Sequence, residues 1–127
     1  MCGDQKFFIC KHCGNLADLI EDKGVPMVCC GDEMAELVSN TAEASTEKHL
    51  PFVTASGNSI DVQVGSVPHP MVSEHYISFV YVETERGGQR KCFKIGDDPK
   101  FAFSFSDDKP KAVYAFCNLH GMWKTEI

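Results

Sequence analysis

The fold and the chemistry of this chain are both indicated by one stretch, Phe116-Cys117-Asn118-Leu119-His120-Gly121-Met122-Trp123. It separates a thiol and an imidazole by three positions, a spacing that suits a tight loop with both side chains turned toward one point. Val113, Ala115 and Cys117 share parity just before this loop, so Cys117 is expected to end a strand on its core-facing side. We therefore expect a metal-binding loop at the end of a buried strand.

Apolar residues elsewhere in the second half recur with the period of a strand. Residues 60–64 and residues 101–105 place an apolar side chain at every second position, as half-buried strands do. Residues 75–82 are apolar on both faces and predict a central strand, and Gly87-Gly88 is expected to form the hairpin turn that follows it. Short strands with turns at such intervals are typical of an all-β sandwich.

Composition limits the classes of function. The 127 residues allow a small domain followed by one of roughly 80 to 90 residues, and an apolar content of 43% is enough for a packed core. A net charge of −6 argues against nucleic-acid binding, since phosphate backbones require clustered Lys and Arg. No apolar run is long enough for a membrane span, and the first residues carry no signal-peptide pattern. A cytoplasmic protein is expected.

Seven cysteines are a high count, and in a chain expected to stay in the cytoplasm they predict metal ligation or redox chemistry. Cys10-x-x-Cys13-Gly14 and Cys29-Cys30-Gly31 form two pairs, which predict a four-thiolate site for zinc or a single iron. The alternative is a pair of disulfides. Because neighbouring side chains of a strand point to opposite faces, Cys29 and Cys30 can share one ion only where the backbone turns. His12, inside the first pair, is expected to be solvated.

A second metal site is the hypothesis that explains the remaining histidines together. Three of them lie in loop or strand-edge contexts like that of the Cys117 and His120 pair: His49, His69 and His75. Two prolines flank His69 and fix its backbone, and His75 has the parity of residues 77, 79 and 81, which predicts an inward-facing ring. Taken singly, a histidine at a strand edge is more often a surface or hydrogen-bonded residue than a ligand. Jointly, the five residues are expected to bind one ion.

The chemistry of this second site follows from its ligand types. Four imidazoles in a plane with one axial thiolate leave a sixth position open, and this donor set suits iron or copper. A thiolate opposite the open position pushes electron density onto whatever binds there, which favours reduction of a small oxygen species. Lys48, beside His49, is expected to place a cation at the rim of the site and to attract an anion.

Four groups of motifs occur in order over nearly the whole chain. They are Cys-x-x-Cys-Gly with Cys-Cys-Gly, Glu47-Lys48-His49-x-Pro51, His69-Pro70-Met71 with His75 four residues beyond Met71, and Cys117-Asn118-Leu119-His120-Gly121-x-Trp123-Lys124. Together they resemble desulfoferrodoxin, the two-iron class of superoxide reductase. Because several independent motifs agree, the resemblance is specific.

The resemblance implies a desulforedoxin-like, rubredoxin-type metal domain over residues 1–38 and an immunoglobulin-like β-sandwich over residues 48–127. Residues 39–47, which are small and polar, would form a linker or a short helical turn. Two iron ions per chain are implied. One would be bound by Cys10, Cys13, Cys29 and Cys30, and the active-site iron by His49, His69, His75 and His120 with axial Cys117.

In that family the ferrous centre gives one electron to superoxide, and two protons complete hydrogen peroxide without forming oxygen. The resemblance assigns Lys48 to attracting superoxide and ordering a proton-donating water. It assigns Glu47 to the sixth position once the iron is oxidised. Rubredoxin or a similar small carrier is the implied electron donor, and a homodimer is the implied assembly.

Three positions depart from the family pattern: Pro68, Glu74 and Met122. Glu74 stands where a lysine often precedes the histidine, and it is expected to make the rim more acidic and to slow anion capture. Cys2 and Cys92 match no family ligand and are expected to be free thiols. Two alternatives remain open, namely a cupredoxin-like electron carrier with Cys117, His120 and Met122 on one loop, and a zinc-binding module without catalysis.

Overall fold

The structure, a computed structural model, describes all 127 residues and contains two compact units, Met1–Val38 and Ser39–Ile127. The chain is almost entirely β, so the predicted fold class is confirmed. No helix is long and apolar enough to cross a membrane.

The first unit is built from five short strands: β1 (Phe7–Ile9), β2 (Leu16–Asp18), β3 (Val28–Cys29), β4 (Asp32–Glu33) and β5 (Ala35–Glu36). β1 lies between β2 and β5 in an antiparallel sheet, and β3 pairs with β4 in a hairpin. Phe7 and Cys10 are the only buried residues of this unit. A unit with so little buried apolar surface needs an additional cross-link to stay folded, so its cysteines have a structural as well as a chemical role.

The second unit begins with a short helix, α1 (Thr46–His49), and continues as seven strands: β6 (Pro51–Ser56), β7 (Ser59–Val64), β8 (Ile77–Thr84), β9 (Gly87–Cys92), β10 (Lys100–Ser104), β11 (Pro110–Cys117) and β12 (Gly121–Glu126). They form two antiparallel sheets, with strand orders β10-β7-β6 and β12-β11-β8-β9. Apolar side chains from both sheets form one core, so the unit is a β-sandwich.

β11 passes through the middle of this core. Val113, Ala115 and Cys117 are each 0% exposed and belong to the core cluster, whereas Tyr114 and Phe116 alternate with them and lie on the other face of the sheet. The predicted parity of Cys117 is therefore confirmed. Its thiol reaches the end of the sandwich from the core side.

A register shift interrupts the pairing of β8 with β11. Phe116 pairs with Phe79, but the next residue, Cys117, pairs with Ile77, which leaves one extra residue in β8. Ile77 therefore lies on the core face together with Val80 and Val82.

The parity that His75 shares with residues 77, 79 and 81 predicts an inward-facing ring, but the bulge interrupts this parity after Ile77. His75 precedes β8, and two mutual backbone hydrogen bonds with Val72, 3.0 and 3.1 Å long, set its backbone. Its ring is nonetheless directed inward, since Nε2 is buried. Parity with Ile77 holds, whereas the bulge places residues 79 and 81 on the opposite face of the sheet.

The hairpin after β8 turns at Glu85 and Arg86, and not at Gly87-Gly88 as predicted. Thr84 pairs with Gly87, and both glycines belong to β9. A Cβ on Gly88 would overlap the hydroxyl group of Tyr81. Gly88 is therefore explained by the room that this ring requires on the sheet, and not by turn formation.

Asn40 fixes the segment before α1 to the edge strand β12. Its backbone is in the left-handed region, with φ of 62°, a conformation that asparagine tolerates. Its side-chain amide donates to the Lys124 carbonyl at 3.0 Å, and its Oδ1 accepts the Lys124 N–H at 2.8 Å. The segment thus follows the strand, and α1 begins at Thr46, within the residues expected to form a linker.

Replacing Phe103 by alanine is expected to destabilise the second unit by about 3 to 5 kcal/mol, because the side chain is 1% exposed and its loss leaves a cavity. The matched control is Phe52→Ala on the same sheet, where the side chain is 55% exposed and the expected cost is below about 0.5 kcal/mol. Chemical denaturation followed by the fluorescence of Trp123, the one tryptophan of the chain, measures both. Equal costs would contradict this assignment of the core.

Candidate metal centres

Four cysteine sulfurs of the first unit converge within 4.8 Å of one another: those of Cys10, Cys13, Cys29 and Cys30. The Sγ atoms of Cys13 and Cys29 are 3.6 Å apart, and those of Cys29 and Cys30 are 4.0 Å apart. Metal–sulfur bonds of about 2.3 Å in a tetrahedron place neighbouring sulfurs about 3.8 Å apart. The cluster therefore fits one tetrahedral ion. All seven cysteines of the chain are free, so the disulfide alternative is wrong.

The turn that Cys29 and Cys30 require is present in the hairpin between β3 and β4. Cys29 ends β3, and the two residues of the loop, Cys30 and Gly31, have φ angles of 53° and 80°. Positive φ at both central residues is the pattern of a type I′ turn, which also matches the twist of the flanking strands. The left-handed backbone at Cys30 brings its thiol to the side on which the Cys29 thiol lies.

The protonation states of these thiols depend on one another. The Cys13 N–H donates to the Cys10 sulfur at 3.5 Å, and this hydrogen bond is the main cause that lowers the pKa of Cys10 to about 6. Contacts with the Cys13 and Cys10 sulfurs raise the pKa of Cys30 to about 12. Four thiolates can thus coexist at neutral pH only with a cation between them.

His12 and the two remaining cysteines, Cys2 and Cys92, do not belong to this four-cysteine cluster. His12 is exposed and pairs with the carboxylate of Asp32, as expected for a solvated residue. Cys2 and Cys92 are exposed and belong to neither cluster of ligands.

The second unit brings the five predicted ligands together at one end of the sandwich. Facing atoms of His49, His69, His75 and Cys117 lie within 4.8 Å of one another. His120 joins them, because its Nδ1 is 3.0 Å from His49 Nε2 and 3.7 Å from the Cys117 sulfur. Residues from α1, the β7–β8 connection, β11 and the turn before β12 thus meet at one point.

The four imidazoles form a square in the order His49, His69, His75, His120. The ring centroids along its sides are 4.6, 4.4, 5.1 and 4.8 Å apart, and the His49–His75 diagonal is 6.0 Å. His49 Nε2 is 3.2 Å from His69 Nε2 and 3.0 Å from His120 Nδ1. Bonds of about 2.1 Å at right angles would separate neighbouring nitrogens by about 3.0 Å. The square therefore has the size that a metal ion requires.

Cys117 lies on one side of this square. Its sulfur is 3.7 Å from His120 Nδ1 and within 4.8 Å of the facing nitrogens of the other three rings. A sulfur in the plane of the nitrogens could not satisfy these distances without overlapping one of them. None of the five residues places a ligand atom on the opposite side of the square.

The nitrogen that each ring presents follows from the hydrogen bonds at its rear. His49 Nδ1 donates to the Ser45 carbonyl and His69 Nδ1 donates to the Pro70 carbonyl, both at 2.7 Å, which leaves Nε2 of each ring facing the centre. His120 is reversed and presents Nδ1. His75 Nε2 is buried without any hydrogen-bond partner. A buried polar nitrogen without a partner is costly, and a metal ion at the centre of the square would satisfy it.

Burial sets the charges of these ligands. Desolvation lowers the pKa of His69 to about 4, and it is also the main cause that lowers the pKa values of His49 and His75. These rings are therefore neutral at pH 7, which is the form that binds metal. Burial raises the pKa of the Cys117 thiol, although hydrogen bonds from the Leu119 and His120 backbones oppose the shift. A thiolate at this depth requires a cation beside it.

Gly65 allows α1 to approach the site closely, a role that the sequence did not reveal. A Cβ on Gly65 would lie 2.5 Å from the Glu47 carbonyl oxygen and 2.9 Å from that of Leu50. The Glu47 carbonyl also accepts the Val67 N–H at 3.0 Å. The only sequence signal was a glycine directly after an apolar strand, which by itself is weak.

The side chains of Glu47 and Lys48 are exposed on α1. Burial is the largest cause that lowers the pKa of His75, and electrostatic interactions with His120 and Lys48 add to it. Lys48 is therefore close enough to act electrostatically on this edge of the square.

Trp123 contacts two residues of the square, a role that its place in the motif did not indicate. Its ring stacks on His49, with centroids 5.1 Å apart and an interplanar angle of 29°. Its Nε1 donates to the His120 carbonyl at 3.2 Å. One buried side chain thus contacts two neighbouring corners of the square.

Comparison with known proteins agrees with this arrangement. Residues 41–126 match the protein-family model described as desulfoferrodoxin. The desulfoferrodoxin of Clostridium acetobutylicum is 38% identical over 127 residues, covering 100% of both chains. That of Nitratidesulfovibrio vulgaris is 36% identical over 121 residues, covering 95% of both.

Two solved structures extend the comparison. The superoxide reductase from Treponema pallidum has a TM-score of 0.81 and 34% identity, and the match covers 98% of this chain and 100% of that one. The one-iron superoxide reductase from Giardia intestinalis has a TM-score of 0.53 and 31% identity, and the match covers 64% of this chain and 97% of that one.

Replacing Cys10 by serine is expected to remove the metal of the four-thiol cluster and to unfold the first unit, because metal binding contributes the folding energy that its small core lacks. The metal content per chain should fall by one, and protease digestion should cut within residues 1–38. Cys92→Ser is the matched control, since this thiol is exposed and lies outside both clusters. Unchanged metal content in Cys10→Ser would contradict the assignment.

Proposed function

Because this chain belongs to the desulfoferrodoxin family, we propose that it is a superoxide reductase, which converts superoxide to hydrogen peroxide with one electron and two protons. The observation that carries the proposal is the square of four imidazoles with a buried cysteine on one side, in which one inward nitrogen has no partner. This donor set suits iron, and a metal-bound thiolate opposite an open position favours reduction of an oxygen species.

The residues that would hold the active-site iron are His49, His69, His75, His120 and Cys117. Ferrous iron bound there supplies the electron for the reaction. The protein presents Nε2 of three rings and Nδ1 of the fourth toward the centre, keeps His49, His69 and His75 neutral by burial, and hides the sulfur completely from solvent. These features fix the ligands before the metal arrives, so little reorganisation accompanies electron transfer.

Lys48 attracts the anionic substrate in this proposal. The protein has a net charge of −6, so superoxide is repelled at long range unless a local cation compensates. The ammonium group of Lys48 is exposed on α1, and its charge reaches His75. Glu47, its neighbour, is proposed to occupy the open side of the oxidised centre and so to close it between turnovers.

The family membership also supports a role for the first unit. Cys10, Cys13, Cys29 and Cys30 would hold a second iron in a desulforedoxin-like domain, residues 1–38, joined by 39–47 to the catalytic domain, residues 48–127. Rubredoxin or a similar small carrier is proposed as the electron donor, and a homodimer as the assembly. Light scattering tests the dimer, and anaerobic oxidation of reduced rubredoxin in the presence of superoxide tests the donor. A cytoplasmic location stays a prediction, which cell fractionation tests.

The experiment that tests the function is pulsed superoxide on the reduced protein, with peroxide measured as product. The parent should consume superoxide and form peroxide without oxygen, and Cys117→Ser and His120→Ala should each lower the rate by at least about 100-fold. Cys92→Ser should leave the rate unchanged, because its thiol lies outside the site. Peroxide formation that survives in Cys117→Ser would show that this site is not responsible.

Metal analysis separates the proposal from its alternatives. Iron near two per chain, with visible absorption that changes on reduction, is the expected result. Copper would support an electron carrier, and zinc at both centres would support a module without catalysis.

Replacing Glu74 by lysine is expected to raise the second-order rate with superoxide at low salt by about twofold to fourfold, because it adds two positive charge units next to His75. The gain should shrink as ionic strength rises. Glu85→Lys is the matched control, since Glu85 is equally exposed but lies in the turn at the far end of β8. If the rate of Glu74→Lys is within error of the parent rate, the charge at position 74 does not affect capture of superoxide.

A further inference from the structure

We propose that Asn118 is a positioning residue that orients His75 toward the metal by holding the backbone on both sides of it. The inference rests on the proposed function, because it presumes iron in the square of imidazoles. Asn118 lies next to Cys117 in sequence and two residues before His120, so it belongs to the loop that supplies two other ligands.

Three hydrogen bonds join Asn118 to the residues that flank His75. Its Oδ1 accepts the Tyr76 N–H at 2.8 Å, and its Nδ2 donates to the Glu74 carbonyl at 3.0 Å. Its backbone N–H donates to the Tyr76 carbonyl at 3.1 Å. The side chain therefore uses both its donor and its acceptor to fix the peptide groups immediately before and after His75.

His75 needs such support because its ring lacks the hydrogen bond to a backbone carbonyl that holds the rings of His49 and His69. The rings of His49 and His69 are each held by a hydrogen bond from Nδ1 to a backbone carbonyl. The ring of His75 makes no hydrogen bond to another protein group, and its buried Nε2 has no partner. Orientation of this corner must therefore come through the backbone.

The backbone at His75 is not fixed by the sheet either. β8 begins at Ile77, two residues later, and a bulge separates this end of the strand from the regular pairing with β11. Apart from the pairing with Val72, Asn118 provides the contacts that tie this segment to the loop of Cys117 and His120. The Asn118 side chain thus links the segment that carries His75 to the loop that carries Cys117 and His120.

The test measures the affinity of the second centre for ferrous iron, by competition with a chelator under anaerobic conditions, in the parent and three variants. Asn118→Ala removes both side-chain hydrogen bonds, and the affinity is expected to fall about 10- to 100-fold. The reduction potential and the visible absorption of this centre should shift with it. The four-thiolate centre of the same molecules is the internal control and should keep its iron.

Asn118→Asp distinguishes positioning from charge. Asp keeps the acceptor for the Tyr76 N–H but loses the donor to the Glu74 carbonyl. Charge alone predicts tighter binding of a cation, whereas positioning predicts weaker binding than in the parent, by less than in Asn118→Ala.

Asn40→Gly distinguishes positioning from a loss of stability. Asn40 makes the same pair of side-chain hydrogen bonds, to the backbone of Lys124, and glycine accepts its left-handed φ of 62°. This variant should lower the midpoint of unfolding as Asn118→Ala does, yet keep the iron affinity of the parent.

The outcomes separate the two proposals. A parent protein that binds no iron at the second centre overturns the proposed function and this inference together. A parent that binds iron, with equal affinity in Asn118→Ala, overturns the inference alone. The inference is also overturned if Asn118→Asp binds iron more tightly than the parent, or if Asn40→Gly weakens binding as much as Asn118→Ala.

Discussion

The constraint on which the structure depends is that each group of ligands is poorly satisfied by protein atoms alone. Four thiols crowd within 4.8 Å in the first unit, and in the second a buried imidazole nitrogen has no partner. The two units meet this constraint differently. The first has only Phe7 and Cys10 buried, so its metal is also its core. The second has a full apolar core, so its fold prepares the site before the metal binds.

Antiparallel pairing explains why distant residues meet at one end of the sandwich. β11 ends at Cys117 where β8 begins at Ile77, because the two strands pair there. In the other sheet, Pro51 at the start of β6 pairs with Val64 at the end of β7. The segments that carry the ligands are the connections at this end, before β6 and β8 and after β7 and β11. These two antiparallel pairings, in sheets that pack on one core, thus bring the ligand-bearing segments to the same end of the sandwich.

The sequence predicted which side chains converge, because the spacing and context of these residues are local. Adjacent Cys29 and Cys30 required a turn, and Cys117 required the parity of Val113, and both features are present. It failed where tertiary packing decides. Gly88 of β9 accommodates a tyrosine ring, and the bulge in β8 puts Phe79 and Tyr81 on the face opposite to the one predicted from the parity that they share with His75. Which nitrogen each ring presents depends on carbonyls that no motif specifies.

The ligands of the square are buried unevenly, so that solvent is excluded from one part of the site and reaches another. His49, His69 and Cys117 are almost fully buried, whereas His75 and His120 are partly exposed. The His75–His120 edge is therefore the side of the square that solvent reaches. The sulfur stays in a medium of low dielectric, where its interaction with a bound cation is little screened. The burial that raises the pKa of the free Cys117 thiol would thus also strengthen the attraction between its thiolate and a bound cation.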